Sequence, residues 1–159
     1  MAKKILIIDN DFESSNGFKA KLEEYGYTII NAKDGVAGMH SVHIENPDLI
    51  ILKHLLPNNM NGCQLCSLLK RDVRYHEIPI IMIFICSYED LKYSIAEPPD
   101  CILRKPINFE DILNKIKELM TQSDIKKEEL NRKLNEKDAK WIKEHYVPGL
   151  GSEKNYIKN

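Results

Sequence analysis

Five short apolar runs, each followed by a stretch with helical spacing, constrain this chain more than any other feature. The runs are residues 4–8 (KILII), 28–32, 49–52 (LIIL), 78–85 and 101–103. The first, third and fourth are nearly continuous aliphatic runs, which marks strands covered on both faces. Between them, 12–25 has helical spacing, with Phe18, Leu22 and Tyr25 on one stripe and Gly26 as its stop. Residues 36–45 form a second helix, closed by Asn46-Pro47. Residues 62–70 form a third, with Cys63, Cys66 and Leu69 facing inward. A short fourth helix at 88–95 is cut off by Glu97-Pro98-Pro99. Asn108 caps a fifth, whose stripe is Phe109, Ile112, Leu113, Ile116, Leu119 and Met120.

Repeated strand–helix units with short connections imply α/β architecture: a doubly wound, five-stranded parallel sheet with right-handed crossovers. The expected strand order is 2-1-3-4-5. In such sheets function sits at the carboxyl ends of the strands, near the switch point between strands 1 and 3. Those ends carry Asp9-Asn10-Asp11, Lys53-His54, residues 84–87 and Lys105-Pro106.

The expected organisation is one domain at 1–121, a helical extension at 122–146 and a flexible tail at 147–159. The extension has sparse apolar residues (Ile125, Leu130, Leu134, Trp141, Ile142), and the tail holds Pro148, Gly149 and Gly151. Net charge is -1, and residues 121–159 mix 9 basic with 7 acidic side chains. That balance gives no attraction to nucleic acid or anionic membrane. No apolar run approaches the ~20 residues of a membrane span, and the start leads into a strand rather than a signal-peptide core. A cytoplasmic location is expected. Cys63 and Cys66 form a CxxC that opens a helix without a second pair at zinc spacing, so they read as small apolar residues on a buried face. His40 and His43, at i and i+3, read as exposed helix residues.

The segments KILIIDND, PDLIILKHLLP, NGCQLCSLLKRD, EIPIIMI and LRKPINFEDIL fall in order. Together, across about residues 3–120, they resemble the receiver domain of two-component response regulators (CheY-like, with a flavodoxin-like fold). The resemblance implies phosphoryl transfer from a phosphohistidine to an aspartate at the end of strand 3. It implies an acidic pair after strand 1 holding Mg²⁺, a lysine after strand 5 on the phosphoryl oxygens, a Thr or Ser after strand 4, and an aromatic residue on strand 5.

Carried over residue by residue, the first acidic position is Asp9 and the second is Asn10, with Asp11 beside it. The acceptor position falls on Lys53, four residues before Pro57 as the pattern requires. Asp48 begins that strand at the opposite edge. The Thr/Ser position falls on Phe84, the aromatic on Ile102 and the lysine on Lys105, before a Pro106 often joined by a cis bond. An ammonium group cannot form an acyl phosphate, and its charge opposes a divalent cation. Asp9, Lys53 and Lys105 sum to +1, and two charges ~4 Å apart interact by ~4 kcal/mol at an effective dielectric near 20. The expectation is therefore a pseudo-receiver: not an enzyme, without Mg²⁺ or other cofactor, acting as a protein-interaction module. A protein partner, with a homodimer as one option, would use a surface holding Tyr93, Arg104, Lys115 and Trp141. The alternatives are an orthodox phosphoacceptor regulator and, behind it, a DNA-binding regulator using the tail.

Overall fold

The computed structural model describes residues 1–11, 16–85 and 96–145 of the 159. The elements run β1 (Lys4–Ile8), α1 (Asn16–Glu24), β2 (Thr28–Ala32), α2 (Gly35–Glu45), β3 (Leu49–Lys53), α3 (Gly62–Arg71), β4 (Ile80–Phe84), β5 (Cys101–Arg104) and α4 (Phe109–His145). The expected short helix at 88–95 and tail at 147–159 lie outside the described residues. All strand pairs are parallel, in the order β2-β1-β3-β4-β5. The doubly wound sheet read from the sequence is thus the one observed. Strand β4 is shorter at both ends than the apolar run around it, and before it the Ile78 amide donates to Tyr75 O at 2.9 Å in a turn.

Local chemistry sets the helix ends. Asp34 accepts a hydrogen bond from the Ala37 amide at 2.8 Å and starts α2, and Asn46, left-handed at φ 52°, ends it. Asn61 and Gln64 cap α3 reciprocally, each side chain accepting from the other's backbone amide at 2.9 Å. Asn108 accepts from the Glu110 amide at 2.9 Å and opens α4.

The sheet is buried on both sides. Leu6, Ile8, Ile50, Leu52, Met82 and Phe84 pack against α2 and α3 through Val42, Leu65, Cys66 and Leu69. Ile5, Ile7, Leu49, Ile51 and Ile81 pack against α1 and α4 through Leu22, Ile112, Leu113 and Ile116. Full burial of each such aliphatic side chain contributes about 1.5–3 kcal/mol. Tyr25 departs from the expected α1 stripe. It lies just past the last turn and is exposed, its ring 6.0 Å from that of Phe109.

The chain divides into two compact units, Met1–Ser123 and Asp124–Asn159. The described residues of the second unit are helical, and Ile125, Leu130, Leu134, Trp141 and Ile142 are exposed. Among the described residues no helix is long and apolar enough to cross a membrane.

Candidate functional site

Strands β1 and β3 are neighbours at the centre of the sheet, with Ile8 opposite Leu52. The chain leaves both in the same direction, so Asp9 and Lys53 emerge side by side at the carboxyl edge. Hydrogen bonding continues past the strand ends and fixes them there. The Asp9 amide donates to Ala32 O at 3.1 Å, His54 to Ile83 O at 2.9 Å and Lys105 to Phe84 O at 2.9 Å. The Lys105–Pro106 bond is cis.

Among the described residues of the first unit, Asp9 and Lys53 are the buried charged ones, each only 8% exposed. Lys53 Nζ lies 3.3 Å from Asp9 Oδ1 and donates to Asn10 Oδ1 at 3.0 Å. The Asp11 amide donates to the same Asp9 Oδ1 at 2.8 Å, which pins the carboxylate toward β3. At that separation the charge attraction is about 5 kcal/mol for an effective dielectric near 20. Taking the two groups out of water costs several kcal/mol per ion, so the net contribution is small. Loss of one partner is what costs, because it strands the other charge.

The site residues expected from the sequence are only partly brought together. Asp9, Asn10 and Lys53 are in contact, and Asp11 joins through its backbone. Lys105 is exposed, and it borders the same cavity as Asp9 and Lys53. Phe84 and Ile102 do not join them. Successive strand residues alternate in direction, and both pack into the core on the α2/α3 side. Phe84 is 1% exposed and meets His54 edge-on, with ring centroids 4.7 Å apart. His54 Nδ1 is buried without a hydrogen-bond partner among the described residues, and burial lowers the His54 pKa. Asp48 sits at the other edge, accepting from the Lys4 amide at 2.7 Å.

His40 and His43 are exposed, and His43 Nδ1 lies 2.8 Å from the Tyr75 hydroxyl. Cys63 and Cys66 are buried free thiols, and burial pushes the Cys66 pKa up to about 12. Of the expected surface residues, Tyr93 lies outside the described residues and Arg104 is exposed. Lys115 pairs with Glu118 at 2.9 Å, and Trp141 stacks on His145 at 4.6 Å.

One feature had no signal in the sequence. A partly open cavity of about 210 Å³ adjoins the Asp9–Lys53 pair. Its floor is Ile7, Ile51 and Ile83, and its walls come from Phe18, Leu22 and Ile112. Phe18, Leu22 and Ile112 had read only as core stripe, because helical spacing says which way a residue points and not whether the space beneath is filled.

A doubly wound α/β domain with polar groups gathered where β1 and β3 end belongs to the class that binds or signals at a topological switch point. The family model for the response regulator receiver domain matches residues 5–117, and the chain belongs to that family. Receiver domains are signalling proteins of two-component systems rather than enzymes, and they act with partner proteins such as histidine kinases. The chain is 33% identical over 122 residues to the DNA-binding dual master transcriptional regulator RpaA of Synechocystis, covering 76% of this chain and 50% of that protein. It is 27% identical to the alkaline phosphatase synthesis transcriptional regulatory protein PhoP of Bacillus subtilis, covering 92% of this chain and 63% of that protein. This chain therefore spans only part of those relatives. Among solved structures, the receiver domain of a signal transduction histidine kinase from Syntrophus aciditrophicus is 30% identical, with a TM-score of 0.71 over 76% of this chain and 92% of that one. A CheY-like receiver domain protein from Methanospirillum hungatei is 27% identical, with a TM-score of 0.70 over 79% of this chain and 99% of that one.

Proposed function

We propose that this chain is a receiver that signals without being phosphorylated, a fixed protein-interaction module in the cytoplasm. One observation carries the reading. At the end of β3, where the family places its acceptor, the Lys53 ammonium stands 3.3 Å from Asp9 and 3.0 Å from Asn10. It occupies the space between the groups that would otherwise face a metal and a phosphoryl group. An amine there cannot yield an acyl phosphate.

The donor set supports a receiver without Mg²⁺. That ion demands near-octahedral oxygen ligands. Here one carboxylate oxygen is already shared by an ammonium and a backbone amide. Phe84 and Ile102 support the same reading, since both are packed into the opposite face rather than toward the site.

With the site held in one arrangement, partner choice rests on a constant surface. Arg104, exposed on β5, and Lys115, half-buried on α4, are the cations that we assign to it. Trp141 is a candidate anchor on the second unit, for a protein partner or a second copy. Incubation of the chain with acetyl phosphate and Mg²⁺, followed by intact mass, is expected to show no change. A gain of one phosphoryl group would return the chain to the orthodox receivers. A second reading draws on the relatives' own descriptions as transcriptional regulators, which would make this chain part of a DNA-binding protein. Salt-dependent binding to random duplex DNA is its test.

A further inference from the structure

We infer that the cavity beside the Asp9–Lys53 pair is a binding site for a small organic monocarboxylate with an apolar body about the size of one aromatic ring. The inference rests on the reading that Lys53 stays an unmodified ammonium.

Three observations meet in this cavity. The first is its shape and lining. The floor is made of isoleucines on three adjacent strands, Ile7 opposite Ile51 and Ile83 opposite Lys53, and the sides are apolar residues of α1 and α4. The second is its size. At about 210 Å³ it exceeds the ~150 Å³ of apolar cavity known to admit a benzene molecule. The third is the charge at its polar end. Among the described lining residues Asp9 is the single carboxylate, against the two ammonium groups of Lys53 and Lys105.

A lysine ammonium has three N–H donors. Lys53 directs its contacts at Asp9 and Asn10 and keeps one donor unassigned. Lys105 has no side-chain hydrogen bond or ion pair among the described residues. An oxyanion set between these two lysines answers both, and it neutralises the excess positive charge. An apolar body attached to it covers the isoleucine floor.

The chemistry selects among anions. Inorganic phosphate supplies oxygens but nothing for the apolar walls, and a doubly charged ion is costly to bring against them. A neutral ring covers the floor but leaves Lys105 unanswered. A monocarboxylate on a ring or short chain satisfies both parts. Asn10 and Asp9 then act as positioning residues that hold Lys53 at the rim.

The test is a titration of the full chain with sodium benzoate, followed by amide ¹⁵N–¹H correlation spectra. Shifts are expected at Ile51, Lys53, Ile83, Lys105 and Ile107, with a dissociation constant on the order of 1 mM or tighter for so small a ligand. Benzyl alcohol is expected to bind about fivefold more weakly, for want of the charge-assisted hydrogen bond. Lys105→Gln, at an exposed side chain, is expected to keep the native spectrum and to weaken benzoate but not benzyl alcohol. The inference is overturned if saturating benzoate leaves those amides unmoved, if benzyl alcohol or inorganic phosphate binds as tightly, or if Lys105→Gln changes nothing. Intact mass after acetyl phosphate treatment of the same sample separates the two levels. Phosphorylation removes the reading beneath, whereas an unphosphorylated chain that ignores benzoate removes the cavity proposal alone.

Discussion

The two faces of the sheet are made from the same residue types and are packed to different standards. On the α2/α3 face, alternate residues of β1, β3 and β4 interlock with Val42, Leu65, Cys66 and Leu69, and Phe84 closes the carboxyl end against His54. On the α1/α4 face, the intervening residues of the same strands run into a cavity at that end, with a buried ion pair at its rim. This fold keeps its freedom on the face that carries the cavity. A parallel sheet is stabilised by close packing on either side, yet only one side meets the switch point. The close-packed side holds the frame, and the other leaves room and charge together.

Gly62 is the sharpest probe of the frame. A Cβ at this position would collide with the backbone oxygen of Lys53 and would lie 3.0 Å from His54 Cα. The obstacle is backbone, not a flexible side chain, and Gly62 N already donates to His54 O at 2.8 Å. Gly62→Ala is therefore expected to abolish stable folding or to cost at least about 3 kcal/mol, measured by urea denaturation. A variant that unfolds at the parent midpoint would show that the β3–α3 connection is looser than the close approach implies.

Phe84→Ala comes next, at about 3–5 kcal/mol for a fully buried aromatic. It also strips His54 of its ring neighbour. Lys53→Met, on the other face, is expected to cost less, about 2–3 kcal/mol, because Asp9 loses its countercharge while the adjoining cavity gives it access to water. Finding Lys53→Met neutral would mean that the pair contributes nothing to holding the site closed. Finding it costlier than Phe84→Ala would reverse the contrast between the faces.

Most of the frame was legible in the sequence, and the reason is physical. Continuous aliphatic runs such as LIIL have few ways to be buried other than as inner parallel strands. Cys63, Cys66 and Leu69 had to face inward once their helix was placed. The juxtaposition of Asp9 with Lys53 followed from strand order and charge. What stayed hidden depends on three-dimensional detail. Motif alignment drew Phe84 toward the site, but strand alternation carries its side chain to the opposite face. Asn10 read only as the occupant of the second acidic position, while its oxygen serves as an acceptor for Lys53. The cavity was illegible because an unfilled space leaves no mark on periodicity. The apolar residues from Ile125 to Ile142, sparse in the sequence, are exposed.

Alkaline titration probes the packed face without mutation. Burial raises the Cys66 thiol from its ordinary 9.0 to about 12. The unfolded chain loses this proton near pH 9 and the folded chain keeps it, so the native state binds more protons between the two values. Its contribution to stability is full below pH 9 and is lost progressively as pH rises toward 12. Native chain is expected to leave Cys66 unmodified by iodoacetamide at pH 9, read by peptide mass mapping. Rapid labelling there would place the thiol at an accessible surface and weaken the account of the α2/α3 face.

The finest comparison uses neighbours on the central strand. Ile50 and Ile51 are consecutive in β3, both nearly inaccessible, and point to opposite faces. Ile50→Val removes a methylene from interlocked packing and is expected to cost about 1–1.5 kcal/mol. Ile51 borders the cavity, so the same deletion forfeits fewer contacts and is expected to cost about 0.5 kcal/mol. Adding benzoate should stabilise the chain by occupying that space, and Ile51→Val should alter this gain while Ile50→Val leaves it intact. Equal costs for the two valines, together with equal responses to benzoate, would mean that the faces are packed alike.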